Sequence, residues 1–178
     1  MNVVLMDNKK EINPMRDIFI EKVVVNIGTG NDAQKQKSAK KLLELITGKK
    51  PIDEISKKRI PSFKISKGAE IGAYVTIRGN SEKLIKMLFD AVDNKLKESS
   101  VINNSVNFGI REYIDLGGIK YDPKIGMLGM NVNIAFKRKG MHVERRKRKA
   151  GIVHKRHKII EASEIKEYLK NNFDVNVV

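Results

Sequence analysis

Ile71-Gly72-Ala73-Tyr74-Val75-Thr76-Ile77-Arg78 is the stretch that decides the fold. Successive side chains of an extended strand point to opposite faces. Ile71, Ala73, Val75 and Ile77 therefore share one face, and Gly72, Tyr74, Thr76 and Arg78 share the other. The first face needs cover from protein. The second offers a ring, a hydroxyl and a guanidinium in a row. The pattern returns where Met130, Val132, Ile134 and Phe136 alternate with Asn131, Asn133 and Ala135. These segments predict a sheet that is oily on one side and polar on the other.

Working outward, Ile18–Ile27 (IFIEKVVVNI) is rich in β-branched residues and ends at Gly28-Thr29-Gly30-Asn31, a strand and then a turn. Another strand is expected near Val106–Asp115, followed by the glycine-punctuated loop Leu116–Gly129. Ala39, Leu42, Leu43 and Ile46 have the spacing of an amphipathic helix, with Gly48 at its end and Pro51 beyond. A second helix is expected after Ser81 as N-cap, with Leu84, Leu88, Ala91 and Val92 as its stripe. A third is expected after Ser163, burying Ile165, Tyr168 and Leu169. Pro51–Gly68 reads as basic and irregular. No βαβ period appears, so the class is α+β: one domain, a mainly antiparallel sheet, helices on one face and an open polar face for RNA. Residues 1–12 read as a flexible extension, and 13–178 as the domain.

Composition restricts the partners. Thirty-six Lys and Arg stand against 21 Asp and Glu, a formal net charge of +15 over 178 residues. Such an excess repels itself unless a polyanion neutralises it. The charge is clustered: Lys137–Lys158 holds eleven Lys or Arg against one acid, Glu144. Many charge runs are solvated faces or tails. This one lies between a strand and a helix and contains Gly140, Met141, Gly151, Ile152 and Val153, so a basic loop (137–158) that packs against phosphates is the better reading. Its candidate contacts are Arg145, Arg146, Lys147, Arg148, Lys149, Lys155 and Arg156. Some six to ten phosphate contacts would lose roughly 10³- to 10⁵-fold in affinity between 50 and 200 mM salt, by analogy with duplex DNA.

Other chemistry finds little support. With no cysteine, disulfides, thiolate metal sites and thiol catalysis are excluded. Gly28-Thr29-Gly30 lacks the Gly-Lys-Ser/Thr ending of a P-loop, and Ala33 stands where a dinucleotide fingerprint needs glycine. A turn presenting backbone N–H groups to an RNA phosphate remains open. His142, His154 and His157 lie inside the basic run and are not read as metal ligands. No acid–base pair or cofactor motif stands out, so neither catalysis nor a cofactor is expected. The opening residues do not form a signal peptide, and no apolar run reaches the ~20 residues of a membrane span. A cytoplasmic protein without a membrane partner is expected.

A specific resemblance follows from longer motifs. Asn13-Pro14-Met15-Arg16, Ile20–Gly28, Thr47-Gly48-Lys49-Lys50-Pro51, Ser62–Gly68, Val75–Gly79, Asn107–Glu112 and Gly118–Pro123 occur in this order. Together they resemble the universal large-subunit ribosomal protein five, numbered eleven in animals, over roughly residues 13–173. The resemblance implies a structural protein that holds 5S rRNA in the central protuberance, beside large-subunit rRNA and other protuberance proteins. By position it implies 5S contacts at Asn26, Lys49 and Thr76, with Lys57 and Arg59 nearby; Tyr74 and Arg78 join them from the strand pattern. Ser62, Phe63, Lys64, Ile65, Ser66 and Lys67 match the segment that approaches P-site tRNA. Arg111–Leu128 resembles the part that bridges to a protein of the small-subunit head.

Lys49 departs from the glutamine usual in bacterial members, and Arg145–Lys158 resembles only the archaeal and eukaryotic branch. Composition alone leaves a general architectural nucleic-acid binder as the alternative. An RNA-acting enzyme is the third reading, disfavoured by the missing constellation.

Overall fold

The computed structural model describes residues 13–79 and 81–177; the reading of 1–12 as an extension lies outside them. Six strands form one sheet. They are β1 (Ile18–Gly28), β2 (Ile52–Ile55), β3 (Glu70–Ile77), β5 (Val101–Ile102), β6 (Ser105–Ile110) and β7 (Met130–Arg138), in the spatial order β2-β3-β1-β7-β6-β5. All the pairings are antiparallel. A two-residue β4 (Lys95–Leu96) pairs in parallel with β8 (Asn176–Val177) beside it. The architecture is the expected α+β sheet.

Register carries the alternation from strand to strand. Val23↔Ile77, Val25↔Val75 and Ile27↔Ala73 face each other, and Val23↔Ile134 and Val25↔Val132 continue the rows. Val106↔Ile134 and Phe108↔Val132 extend them into β6. Every one of these side chains is buried. Three helices cover them: α1 (Ala33–Thr47), α2 (Glu82–Asp90) and α5 (Ala162–Phe173). α1 lies against β3. Phe89 of α2 stacks on Phe108 at 5.4 Å between ring centroids and meets Phe173 of α5 at 5.6 Å, while Tyr168 meets Phe136 edge-on.

Several local expectations change. The helix capped by Asp32, whose carboxylate accepts from the N–H groups of Gln34 and Lys35, ends at Gly48 in the left-handed region, φ 63°. Ser81 takes the expected N-cap position without a capping side-chain bond; of the expected stripe, Leu88 is buried and Leu84, Ala91 and Val92 pack half-buried against the core, with Ile85 and Phe89 buried beside them. The third helix starts at Ala162 with Glu161 as cap, so Ser163 sits inside its first turn. The strand near Val106 ends at Ile110, and Tyr113–Asp115 is a 3-10 turn. The 137–158 segment is only partly a loop: Lys137 and Arg138 finish β7, and α3 (His142–Arg145) and α4 (Lys155–Lys158) are helical turns.

One polar residue ties α1 to the sheet. Gln36 is 3% exposed; its amide donates to Asp53 Oδ1 at 2.9 Å and to Gly72 O at 2.8 Å, and accepts from Thr29 Oγ1 at 2.6 Å. Lys40 closes the cluster on Asp53 at 2.6 Å. Gly72 itself is required there, because a Cβ would stand 2.7 Å from Ile27 O. Replacing Gln36 by alanine leaves several buried groups unmatched and should cost about 1–3 kcal/mol. Urea unfolding of the purified variant measures this, and a loss below about 0.5 kcal/mol, the range of ordinary surface changes, would contradict the account.

Candidate nucleic-acid interface

The residues between the buried positions form the second face. In the register they make crosswise rows: Ile52–Tyr74–Asn26–Asn131–Gly109 and Thr76–Val24–Asn133–Asn107. Lys22, Ala135 and Ser105 form a shorter third row. Tyr74, Thr76, Val24, Asn26, Asn107 and Asn133 are half-buried, as floor residues are, and Asn131 and Gly109 are exposed. Among the described residues, the apolar stripes of α1, α2 and α5 pack into the core on the other face. The floor carries amides, a hydroxyl and a phenol and, on its β2 side, the Glu54 carboxylate, which accepts from the Asn26 amide.

Basic arms frame this floor. The first is the segment joining β2 to β3, expected to be irregular but folded as a hairpin. Ser56 and Ala69 pair at its base, and Ile60 and Ile65 exchange backbone bonds at 2.9 and 3.1 Å near its tip. A groove runs from Val24, Asn26 and Tyr74 on the floor to Ser56, Lys57, Lys58 and Ile60 on this arm. Lys57, Lys58 and Arg59 are exposed. Beyond them, Pro61–Phe63 turns tightly and Lys64 has φ 54°, which projects the tip; Phe63 there is 72% exposed. Ser62, Lys64, Ser66 and Lys67 are exposed and Ile65 half-buried. The groove from the floor reaches Ile60 and includes none of residues 61–67, and Asn31 donates to Lys64 O at 3.4 Å.

The second arm is the strap from Lys139 to Lys158. Asn104 fastens it: its amide donates to Lys158 O and accepts from Ile160 N at 2.9 Å. A groove between strap and floor is lined by Ser105, Ala135 and Lys137 on one side and Met141, Arg145 and Lys158 on the other. Acids of the protein itself hold part of the 137–158 run; of the seven expected phosphate contacts, Arg145 alone has such a partner among the described residues. Glu21 accepts from Lys137 at 3.3 Å and Arg145 at 2.6 Å, Lys158 pairs with Glu144, Lys139 with Asp17, and the buried Arg138 with Glu164. Arg146, Lys147, Arg148, Lys149, Lys155 and Arg156 are exposed and, among the described residues, have no carboxylate within ion-pair distance. Arg145 is tied to Glu21 while its side chain stays exposed; the other six are the free charges.

The remaining candidates are distributed along one edge. Lys49 is exposed just after α1, on the Thr76 side of the Ile52–Tyr74 pair. Arg78 is exposed beyond the end of β3, where the register brings Lys22 to the neighbouring position. Asn26 lies inside β1, as expected, and its amide donates to Glu54 Oε2 at 3.3 Å. In the following turn, some of the backbone N–H groups expected to be open to phosphate are used within the protein. Thr29 and Gly30 N–H groups are taken by Ile71 O, and those of Gln34 and Lys35 by Asp32. The sequence reading missed Asn107 as a floor residue, although Ser105, Asn107 and Gly109 alternate with Val106, Phe108 and Ile110. Among the described residues, no three His, Asp or Glu approach closely enough to hold a metal, and no helix is long and apolar enough to cross a membrane.

The strap's ties set its pH response. Burial raises the pKa of Glu21, but hydrogen bonds and charge from Arg145 and Lys137 outweigh it and leave the group lowered. For Glu144 the hydrogen bond from Lys158 is the main cause of a lowered value. A lowered carboxylate stabilises above its unfolded value, about 4.3, and that stabilisation is lost as pH falls through the folded value. Protection of the amides over 141–158, measured against their intrinsic exchange rates, should therefore hold steady down to about pH 5 and fall below about pH 4. Glu21→Gln should raise exchange already at pH 7. No change in either experiment would contradict this anchoring.

Comparison with known proteins agrees with this geometry. The family described as "Ribosomal protein L5" matches residues 13–65, and "ribosomal L5P family C-terminus" matches residues 70–166. "Large ribosomal subunit protein uL5" of Sulfurisphaera tokodaii is 41% identical over 175 residues, covering 97% of this chain and 99% of that protein. Its namesake from Archaeoglobus fulgidus is 40% identical over 170 residues, covering 93% and 94%. That of Nanoarchaeum equitans is 39% identical over 168 residues, covering 93% and 99%. These relatives are structural proteins of the ribosome, not enzymes. A two-faced sheet with basic arms, matched across nearly its whole length, places this chain in the ribosomal protein L5 family, among the proteins of the large subunit.

Proposed function

We propose that the chain, through the single domain of residues 13–178, binds 5S rRNA in the central protuberance of a cytoplasmic ribosome, among large-subunit rRNA and neighbouring proteins. The observation that carries this reading is a floor of amides, hydroxyl and phenol, with Glu54 at one side, between two basic arms. Phosphates carry charge at every nucleotide, whereas sugars and bases offer hydrogen-bonding edges and stacking faces. A cationic rim with a polar floor suits both at once. Asn26, Tyr74 and Thr76 meet ribose and base; Lys49, Lys57, Arg59 and Arg78 meet the backbone. The free charges from Arg146 to Lys149, with Lys155 and Arg156, contact further rRNA, and Arg145, tied to Glu21, keeps its side chain exposed.

The hairpin tip, Ser62 to Lys67, reaches P-site tRNA. Its place on the arm beyond the residues that line the floor groove supports a separate partner. The Arg111–Leu128 region bridges to a protein of the small-subunit head. In support, its long loop is fastened: the buried Tyr113 hydroxyl accepts from Asp122 N at 2.9 Å, and Ser38 Oγ donates to Lys124 O. Tyr121 and Met127 are left 52% and 55% exposed for a partner.

Filter binding that compares 5S rRNA with a DNA duplex of similar length tests the reading against a general nucleic-acid binder. Tighter binding of 5S rRNA at matched salt is expected; equal affinity would overturn it. Thr76→Glu places a charge on the floor and should weaken 5S binding by more than about tenfold, a loss of about 1.4 kcal/mol, without unfolding the domain. An unchanged dissociation constant would remove that face from the account. Neutralising Lys64 and Lys67 together should spare 5S binding while weakening tRNA binding by the large subunit. An equal loss of 5S binding would merge the two surfaces.

A further inference from the structure

The floor continues past the residues discussed so far. Across β7 and β6 it carries Asn131, Asn133 and Asn107, with Gly109 between the amides and the edge. A shallow groove is lined by these residues together with Val24 and Asn26. The amides differ in how far the protein itself uses them. Asn133 donates to Asn107 Oδ1, and Asn107 donates to Ser105 Oγ at 3.5 Å. Asn131 stands apart: among the described residues neither its carbonyl nor its amino group has a hydrogen-bond partner, and the side chain is exposed. Next to it, a Cβ on Gly109 would lie 3.4 Å from Asn131 Oδ1. The missing side chain leaves the amide uncovered and the adjoining floor flat.

We infer that Asn131 and the slot over Gly109 form a base-reading subsite, occupied by the hydrogen-bonding edge of an unpaired nucleobase of the bound RNA. A primary amide offers a donor beside an acceptor in one plane, the complement of a base edge. A phosphate offers only acceptors and would leave the carbonyl facing negative charge. The floor here also lacks any cation: its rows contain asparagine, serine, glycine, alanine and valine up to Lys22 and Lys137 at the margin. Phosphates are drawn to the margins, and the base is turned inward. The flat backbone at Gly109 gives that base room to lie close to the sheet. The subsite is continuous with Asn26, its neighbour in the same crosswise row.

This inference rests on the RNA-binding reading above, and its test separates the two. Binding of 5S rRNA is measured at several salt concentrations for the unsubstituted chain, Asn131→Ala and Gly109→Val. The valine substitution suits a strand, and its branches cap the amide without altering it. Thermal unfolding verifies that both variants fold. Both should weaken binding by roughly 5- to 150-fold, the range for one good bidentate base contact. The slope of log affinity against log salt should not change. Chemical probing should show an unpaired base protected by the unsubstituted chain and reactive with Asn131→Ala. Unchanged affinity in both folded variants, or a slope reduced by about one as a lost phosphate contact gives, would overturn the subsite while leaving the RNA reading intact. Failure of the unsubstituted chain to bind 5S rRNA would overturn the reading beneath it.

Discussion

The register between β3, β1, β7 and β6 is the constraint on which the rest depends. Side chains alternate with a period of two, so slipping one strand by one residue would turn its whole apolar set outward. Val23, Val25 and Ile27 are all buried, and each is matched by buried partners on the flanking strands. That agreement fixes the core and, by the same geometry, gathers Tyr74, Thr76, Asn26, Asn131, Asn133 and Asn107 on the opposite side. Core and interface are two consequences of one pairing. The bulge between Ile20 and Lys22 is the exception that proves useful. The extra residue is Glu21, and the acid that holds Lys137 and Arg145 comes from this break in the ladder.

Charge is divided in the same way. A net +15 suggests an undifferentiated cationic surface. In the fold, an amide-rich floor without cations at its centre is separated from a rim of free cations, and several basic residues are held in internal ties. Contacts to a nucleic-acid backbone position the ligand and supply salt-dependent affinity; contacts to bases supply discrimination. The separation of rim and floor assigns those two tasks to different residues. It also explains why the helices lie where they do. Covering both faces would have buried the asparagines, leaving amides to be satisfied within the protein.

Much of this was legible in the sequence wherever a simple period ruled. Strict alternation in Ile71–Arg78 and Met130–Phe136 identified both faces, and the motif order from Asn13 to Pro123 identified the family. What was not legible depended on long-range pairing. Ile52–Ile55 is a short edge strand whose Asp53 and Glu54 look like loop residues until β3 pairs with them. Asn104 looks like an ordinary turn residue, yet its amide clamps a segment more than fifty positions away. Ser81 takes the expected cap position without a side-chain bond, whereas Ser163, a good capper by type, lies inside its helix and Glu161 takes the boundary. The basic run looked uniformly free because its acid partners, Glu21, Asp17 and Glu164, come from other elements.

The central claim is that RNA meets the uncovered side of the sheet. Backbone amide shifts of the isotope-labelled protein, followed during addition of 5S rRNA, test it directly. The account predicts the largest changes at Asn26, Tyr74, Thr76, Asn131 and Asn133 and along Lys57–Arg59, with α2 and α5 little affected. Changes concentrated on α2 and α5, with the floor residues unmoved, would contradict it.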